Sequence, residues 1–518
     1  MSTLQDQPGA VCPADGTELL TVTFAAPGDV QPIVERARKA QKEWAALSLA
    51  ERTTRVRTIA STLLDRADAI SEVLARETGR SILAARFPEV AIATDYARMA
   101  TKVAAIALAP EKIKLSSIDM PGKRGVIEQI PRGVVGIIAP WNYPLLQLYK
   151  PLFPALLAGN CVVIKPSEHT PHSAAWLGAL CDEVLGAGVV TVVQGDGAIG
   201  ATLIDSGIDA LTFTGSVATG RRVAAAAAER LIPCSLELGG KDAALVLDLG
   251  LVDRTVSGIT YSAFHNAGQD CAAIEVVYVV GDIADTLVAR LAHAASVLRV
   301  GNEPLSEVAP LQNAQQLATV EAHIADAKAK GATIVVGGQR IGAGFGYEPT
   351  VLDHCNDTML AVTEETFGPV VAIVRVATEA EAITRANQSR YGLNGSVWTG
   401  DVAKGERTAR QLDVGIAHVN GHGWTGSQAH IPWTGTKLTG PGVAASRHSY
   451  GTFVRPRVVM VDKTAKAEPF WYPFDDNMDA FSLALVDRSR GSIAALFRLI
   501  GLLGKRVRAT TDIGKSKE

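Results

Sequence analysis

The chain has 518 residues, of which 47% are hydrophobic and 20% are charged, and its formal net charge is −3. A chain of this length exceeds what one hydrophobic core usually supports, so two or three domains are expected. The slightly acidic balance argues against a nucleic-acid binder. The six cysteines are scattered without a CxxC pair, which predicts neither a disulfide framework nor a zinc site.

The first part of the chain has the apolar periodicity of α-helices. Over residues 29–108, apolar side chains such as Ile33, Val34, Ala37 and Ala40 recur at helical spacing, with charged residues between them. The N-terminus has no basic segment followed by an apolar core. We therefore expect helices in this region and no secretory signal before them.

From residue 133 onward, short β-branched runs alternate with helical stretches. This alternation is typical of βαβ units on a parallel sheet. The predicted elements before Glu237 are strands at 133–138 and 161–164 and helices near 149–158 and 172–185. The predicted elements after it are strands at 243–246 and 276–280 and helices near 283–298 and 312–330.

One cysteine lies in a loop-like stretch that suits a reactive thiol. Residues 264–271 read FHNAGQDC, so a glycine-containing loop presents Cys271 with no second cysteine nearby. A free cysteine is more often an inert buried residue, and packing is the alternative for this stretch taken alone. In the company of the motifs that follow, Cys271 is predicted to be a nucleophile.

Three further motifs carry groups that suit acyl chemistry. Glu237 precedes a glycine pair in ELGGK, where a carboxylate can act as a general base. Asn142 lies between two prolines in PWNYP, which fix the backbone around an amide able to donate to an oxyanion. Glu365 stands two residues before Phe367 in EETFGP. Each motif alone could be a turn, a strand end or a solvated face, but four in order favour one functional site.

Two stretches after predicted strands suit a dinucleotide. In IKPSE, the ammonium of Lys165 and the carboxylate of Glu168 can hold ribose hydroxyls, with an ordinary surface ion pair as the alternative. Residues 213–220, FTGSVATG, follow another strand and open a helix whose free amides can bind a pyrophosphate. No GxGxxG fingerprint is present.

With all four catalytic motifs in this order and at these spacings, residues 20–460 resemble the aldehyde dehydrogenase family. The resemblance implies an α/β fold with a variant Rossmann domain, an α/β catalytic domain and a small β element for oligomerisation. The implied boundaries are 1–111 and 131–239 for the dinucleotide-binding domain, 240–451 for the catalytic domain, 112–130 and 452–463 for the oligomerisation strands, and 464–518 for a C-terminal tail.

The resemblance also implies roles for the matched residues. Cys271, with a depressed pKa, attacks the aldehyde, and Asn142 and the Cys271 amide stabilise the oxyanion. Glu237 activates the water that hydrolyses the thioester. The implied cofactor contacts are Trp141, Lys165, Ser167, Glu168, Gly215, Ser216, Gly220, Leu238, Glu365 and Phe367. Because Glu168 repels a 2′-phosphate, NAD is expected, and NADP stays open.

Residues near the motifs predict a ring-lined channel for an aromatic or medium-chain aldehyde. They are Tyr143, Tyr149, His265, His418 and Trp424. Glu237 favours hydrolysis over acyl transfer to coenzyme A. The alternatives are a semialdehyde dehydrogenase for an acidic substrate, an acylating enzyme and a catalytically silent binding protein. His418 and His422 are four residues apart among glycines, which predicts a loop and no metal site.

The C-terminal tail pairs an aromatic and proline-rich segment, residues 469–474, with a basic amphipathic helix. One helical face is predicted to be apolar: Ile493, Leu496, Phe497, Ile500, Leu503 and Val507. The run is too short and too charged to span a bilayer. Packing on the protein is favoured over contact with an anionic membrane surface. The resemblance implies a homodimer or homotetramer, and the unpaired cysteines suit the cytoplasm.

Overall fold

The computed structural model describes residues 10–116, 120, 122–464 and 466–512. The N-terminal segment 1–9, where the sequence predicts no secretory signal, lies outside the described residues, as do small parts of the predicted oligomerisation strands and tail. The α-helices are α1 Pro27–Ala46, α2 Leu49–Asp65, α3 Ala67–Thr78, α4 Ile82–Glu89, α5 Ala93–Ala107, α6 Leu146–Leu157, α7 Pro171–Leu185, α8 Gly197–Asp205, α9 Val217–Glu229, α10 Val252–Phe264, α11 Ala284–Ser296, α12 Ala314–Ala329, α13 Leu360–Thr363, α14 Glu379–Asn387, α15 Val402–Ala409, α16 Tyr450–Phe453, α17 Asp476–Ser489 and α18 Ile493–Asp512.

The strands form two large sheets and one small one, together with two-residue pairs. They are β1 Glu111–Ile113, β2 Lys123–Pro131, β3 Val134–Ile138, β4 Cys161–Lys165, β5 Val190–Val192, β6 Ala210–Thr214, β7 Cys234–Glu237, β8 Asp242–Val246, β9 Ile274–Val280, β10 Thr333–Val336, β11 Thr350–Asp353, β12 Val370–Val376, β13 Tyr391–Gly392, β14 Asn394–Trp398, β15 Ile416–Val419, β16 Trp433–Thr434, β17 Thr436–Lys437, β18 Val443–Ala444 and β19 Val454–Asp462.

The first large sheet is fully parallel, with strand order β5-β4-β3-β6-β7. Its central strands β3 and β4 are almost entirely buried, as expected where helices cover both faces of a sheet. The second has order β10-β11-β12-β9-β8-β14-β15 and is parallel except for the edge strand β10. The strands and helices predicted between residues 133 and 330 agree with these elements to within a few residues.

The N-terminal helices are specified by local signals and by an apolar core. Ser48 caps α2 in a capping box with Glu51. Trp44 of α1 is buried and its indole donates to the carbonyl of Leu156 at 3.0 Å, which ties α1 to the end of α6. The helical periodicity predicted for residues 29–108 is therefore confirmed, and these helices form one core with the first sheet.

The chain divides into two compact units, one of residues 1–109 with 130–455 and one of residues 110–129 with 456–518. The first unit contains both large sheets. The second contains most of the small sheet β1-β2-β19 together with α17 and α18. The predicted strands at 112–130 and 452–463 thus pair with each other, and the division of the first unit into two domains stays a prediction.

Helix α18 is amphipathic, but the stripe that it buries against α17 differs from the predicted face. Ala495, Leu499 and Arg506 are buried, whereas Ile493 and Phe497 are 75% and 70% exposed. Arg506, one of the basic residues of this helix, is drawn inward because its guanidinium donates to the carbonyls of residues 469 and 471 and to a carboxylate. Across the described residues, no helix is long and apolar enough to cross a membrane.

Candidate active site

Cys271 lies in a loop whose shape is fixed by its backbone. After α10, residues 266–268 all adopt left-handed φ angles, between 51° and 67°, which turns the chain sharply. The carboxylate of Asp270 then accepts a hydrogen bond from the amide of Ala272 at 2.9 Å, closing a turn around the cysteine. The thiol is therefore presented from a rigid turn between α10 and β9.

Asn142 is held against this loop by reciprocal hydrogen bonds. Its Nδ2 donates to the Gln269 carbonyl at 3.0 Å, and its own carbonyl accepts from Nδ2 of Asn266 at 3.0 Å. The Gln269 side chain donates in turn to the carbonyls of Asn266 and Pro310. An amide nitrogen has two donor hydrogens, so Asn142 keeps one for a group bound beside Cys271.

Glu237 is the last residue of β7, and the glycine segment that follows it crosses close to the backbone of Cys271. A Cβ at Gly240 would lie 2.2 Å from the carbonyl oxygen of Cys271, so only glycine permits this approach. Oε1 of Glu237 accepts from the amide of Ala444 at 3.1 Å. Burial raises the pKa of Glu237 to about 8, and the nearby Lys150 ammonium opposes the shift. A carboxylate whose pKa lies near neutrality is suited to act as a general base.

The thiol of Cys271 differs from expectation. Burial raises its pKa well above the ordinary value, the Asp270 carboxylate adds to the shift, and Lys150 opposes it. The sulfur lies 3.7 Å from Oδ1 of Asp270, as donor to that oxygen. The depressed pKa predicted from sequence is wrong for this arrangement, because the loop buries the sulfur and also places a carboxylate beside it.

Two adjoining cavities of about 330 and 540 Å³ form what we name the dinucleotide cavity. Both are bordered by Trp141, Thr214 and Gly215. The predicted cofactor residues on its walls are Trp141, Lys165, Ser167, Glu168, Gly215, Ser216, Leu238, Glu365 and Phe367. Gly220 is not on the wall. It is buried in α9, where a Cβ would lie 2.4 Å from the Leu238 side chain, so its role is helix packing.

The donor groups of this cavity fit a dinucleotide. Ser216 caps α9, its hydroxyl accepting from the Thr219 amide at 3.3 Å, so the helix presents free amides suited to a pyrophosphate. Glu168 is 41% exposed and lies 3.6 Å from the Lys165 ammonium, which leaves its carboxylate accessible to hydroxyl groups. Arg222 borders the same cavity, and sequence analysis missed it because nothing near it in sequence marks its direction.

A buried ion pair joins the Glu365 motif to the segment after Glu237. Glu275 accepts hydrogen bonds from Lys241 and, at 2.8 Å each, from the amides of Thr366 and Phe367. Glu365 itself accepts from the Gly240 amide at 3.0 Å. Sequence analysis missed Glu275, which lies in a β-branched run that reads only as a strand.

Cys271 also borders a second cavity, of about 350 Å³, which we name the aromatic cavity. Of the predicted channel residues, Tyr143, His265 and Trp424 border it. The Tyr143 hydroxyl is 2.8 Å from Nδ1 of His265, and the two rings are nearly parallel. Burial lowers the pKa of His265 to about 4, so the ring is neutral near pH 7.

Two predicted channel residues do not reach this cavity. Tyr149 is fully buried in the core, where its hydroxyl donates to the Glu89 carbonyl at 2.5 Å and its ring stacks on Phe153. His418 lies behind the cavity wall on β15, with Nε2 3.3 Å from Asn394. Helix α6 turns Tyr149 inward and β15 turns His418 away, directions that residue spacing alone does not reveal.

Other residues that border the aromatic cavity were missed or misjudged. His422, considered only for metal binding, is a wall residue whose Nε2 lies 3.0 Å from the Ala272 carbonyl. Lys150 also borders it, with its ammonium 4.8 Å from the centre of the Trp433 ring. No cluster of three or more histidines, cysteines, aspartates or glutamates placed to hold a metal is found among the described residues.

A sequence model of the aldehyde dehydrogenase family matches residues 3–459. A Mycolicibacterium smegmatis protein provisionally named an NADP-dependent succinate-semialdehyde dehydrogenase is 36% identical, covering 88% of each chain. A Methylomonas protein named 4,4′-diapolycopene aldehyde oxidase is 36% identical, covering 90% of this chain and 88% of its own. A solved Staphylococcus aureus betaine aldehyde dehydrogenase in complex with NAD⁺ is 29% identical, with a TM-score of 0.83, covering 91% of this chain and 94% of its own.

The chain therefore belongs to the aldehyde dehydrogenase family. It has the family's fold and is an oxidoreductase that acts on aldehydes with a nicotinamide dinucleotide.

Proposed function

We propose that Cys271 is the nucleophile of an NAD(P)-dependent oxidation of an aldehyde to a carboxylic acid. The observation that carries the proposal is that Cys271 borders both the dinucleotide cavity and the aromatic cavity. A substrate in the second cavity and a cofactor in the first would thus meet at the same sulfur. A silent binding protein has no physical need for a thiol at this junction.

The first half of the reaction uses Cys271 and Asn142. The sulfur bonds to the aldehyde carbon while the C=O π pair moves to oxygen, and the free Nδ2 hydrogen of Asn142 stabilises that oxyanion. Bound NAD(P)⁺ supplies the acceptor for the hydride that leaves the same carbon. Cys271 then holds the acyl group as a thioester. The Cys271 thiol donates to Oδ1 of Asp270 across a sulfur–oxygen distance of 3.7 Å, and its proton passes to solvent before the attack, so that the sulfur reacts as the thiolate.

The second half uses Glu237 and water. A small cavity of about 20 Å³ is bordered by Glu237, Lys150 and Thr212, and the Thr212 hydroxyl is buried with no protein partner. A space of this size with several polar groups fits one water molecule. Glu237, with a pKa of about 8, removes a proton from water as it attacks the thioester, releasing the acid and the Cys271 thiol. Hydrolysis is therefore favoured over acyl transfer to coenzyme A.

We further propose that Glu168 gives a preference for NAD over NADP. Its accessible carboxylate borders the cavity that suits the ribose of adenosine, and it repels a phosphate on the 2′-oxygen. The names of the relatives point both ways, since one carries NADP and a solved structure contains NAD⁺. Arg222, on the same wall, keeps NADP usable.

The wider organisation is proposed on the same basis. The sheet β5-β4-β3-β6-β7 falls within the predicted dinucleotide-binding domain, 1–111 with 131–239, and the seven-stranded sheet falls within the predicted catalytic domain, 240–451. The small sheet of the second unit suits association into a homodimer or homotetramer.

The six unpaired cysteines suit a reducing cytoplasm. The exposed face of α18, with Phe497, is available to a partner subunit or to a membrane surface.

A neutral aldehyde is the substrate class that this site favours. Asp270 and Lys150 both border the aromatic cavity, so the ammonium is already balanced by a carboxylate, and among the described residues no arginine borders it. The semialdehyde activity in the name of the Mycolicibacterium relative is therefore not favoured for this chain. The aromatic walls of the cavity accept apolar substrate groups.

The test is steady-state turnover of purified wild type and Cys271→Ala, followed at the absorbance band of the reduced nicotinamide, with NAD or NADP. A panel of aliphatic, aromatic and acidic aldehydes is used, and the product is identified by mass spectrometry. We expect a free acid from wild type and no turnover from the variant, with dinucleotide binding retained in both. Turnover that survives in Cys271→Ala, or a product that appears only with coenzyme A, would overturn the proposal.

A further inference from the structure

A third cavity adjoins the aromatic cavity and has no part in the chemistry described above. It measures about 640 Å³, and we name it the outer chamber. Phe87, Tyr261 and His265 border both spaces. A molecule that reaches Cys271 from the aromatic cavity therefore has a second, larger space directly behind these three side chains.

The walls of the outer chamber are apolar. Leu83, Val297 and Leu305 border it and are each more than half exposed, as are the shared residues Phe87 and Tyr261. Large apolar side chains grouped around a concavity mark a binding surface more often than a bare surface. The cluster lies on α4, α10 and the segment after α11, so its exposure is built by three separate parts of the fold.

The charges that border the chamber are neutralised within the protein. Nε of Arg299 lies 3.1 Å from Glu307, a second nitrogen contacts the same carboxylate at 2.5 Å, and the guanidinium also contacts the Leu305 carbonyl. Two of the three guanidinium nitrogens of Arg299 are thus engaged, and its charge is balanced by the Glu307 carboxylate. A long polar or anionic tail finds no matched partner in this space.

We propose that the outer chamber holds the apolar tail of a long-chain aldehyde whose carbonyl carbon lies at Cys271. The proposal rests on the function proposed above and extends it to a substrate class, an unbranched aldehyde longer than the aromatic cavity alone can hold. The tail is buried between Phe87 and Tyr261 and continues against Leu83 and Val297. Burial of each additional methylene there increases kcat/KM about 4-fold, equivalent to about 0.8 kcal/mol.

The experiment measures kcat/KM for straight-chain aldehydes from four to fourteen carbons with wild type, Val297→Glu and the matched control Val402→Glu. Val402 is similarly exposed, 54% against 62% for Val297, and borders none of the cavities. We expect wild-type kcat/KM to rise with chain length. Val297→Glu removes the rise for long chains but leaves butanal unchanged, and Val402→Glu leaves the whole series unchanged.

Two results would overturn the inference. One is a wild-type series that is flat beyond the medium-chain aldehydes, and the other is a Val297→Glu series that rises as steeply as wild type. A uniform loss of kcat/KM at every chain length in Val297→Glu, absent from the control, would also contradict the inference. Such a loss would mean that the substitution disturbs the fold and does not act on the aldehyde tail. Failure of wild type to oxidise butanal or any other aldehyde is a different result, and it refutes the proposed function itself.

Discussion

The dinucleotide cavity and the aromatic cavity meet at Cys271 but are built in different ways. The first is made by strand ends, glycine turns and the start of α9, so its chemistry is written in short continuous motifs. The second is made by single side chains from α4, α6, α10 and the segment 422–433, which are far apart in sequence. The residues of a cavity formed by backbone turns can be predicted from sequence motifs. The residues of a cavity formed by converging side chains can be identified only once the fold is known.

The largest effect that separates chemistry from binding is expected for Glu237→Gln. The amide cannot remove a proton from water, so steady-state turnover falls by about 10³-fold, while the thioester still forms. Rapid-mixing absorbance should show a burst of about one reduced nicotinamide per active site, followed by a very slow phase. A variant with no burst would mean that Glu237 acts before the thioester and not after it.

Asn142→Ala is expected to lower kcat by about 10²-fold, because one oxyanion donor is removed. Its side chain also bonds to the Gln269 carbonyl, so the loop geometry needs a control. Alkylation of Cys271 by iodoacetamide reports that geometry without an oxyanion. An alkylation rate that falls as far as kcat would identify a positioning effect in place of oxyanion stabilisation.

On the dinucleotide side alone, Glu168→Gln is expected to raise kcat/KM for NADP relative to NAD by about tenfold, since removing one like charge is worth about 1.4 kcal/mol. The KM for the aldehyde should not change, because Glu168 borders no part of the aromatic cavity. Initial rates with both cofactors measure the ratio. An unchanged ratio would place the discrimination elsewhere, with Arg222 as the next residue to substitute.

On the aromatic side, Asp270→Asn is expected to have the smallest effect on turnover and a clear effect on pH dependence. The carboxylate raises the pKa of the Cys271 thiol, so its removal lowers that pKa and extends thiolate reactivity to lower pH. The alkylation rate measured from pH 6 to 10 should show a midpoint moved downward. A midpoint that stays in place would show that burial alone governs the thiol.

The sequence predicts the fold, and it predicts that Asn142 lies against the loop of Cys271, for a physical reason. Cys271, Glu237 and Asn142 stand in turns whose glycines and prolines constrain the backbone locally, and strands such as β3 and β4 are marked by continuous apolar runs. Tyr149 shows the limit, because the residue lies close to a motif but α6 directs its ring into the core.

Electrostatic properties and helix faces were harder to predict. The raised pKa of Cys271 depends on how deeply the loop is buried and on the position of the Asp270 carboxylate. Neither the burial nor that position can be deduced from the sequence. In α18, the number of large apolar side chains favours the face of Phe497, but Ala495 and Leu499 are the residues that are buried. The hydrogen-bond partners of Arg506 decide which face is buried, and they come from a segment more than thirty residues earlier.

The placement of Cys271 between two cavities has a kinetic consequence. Cofactor and aldehyde reach the sulfur through two different cavities, so we expect that neither blocks the path of the other and that no strict order of addition is imposed. Each product should inhibit only the binding of the substrate that shares its cavity. Reduced nicotinamide should compete with the oxidised cofactor, a carboxylic acid product should compete with the aldehyde, and each should leave without waiting for the other.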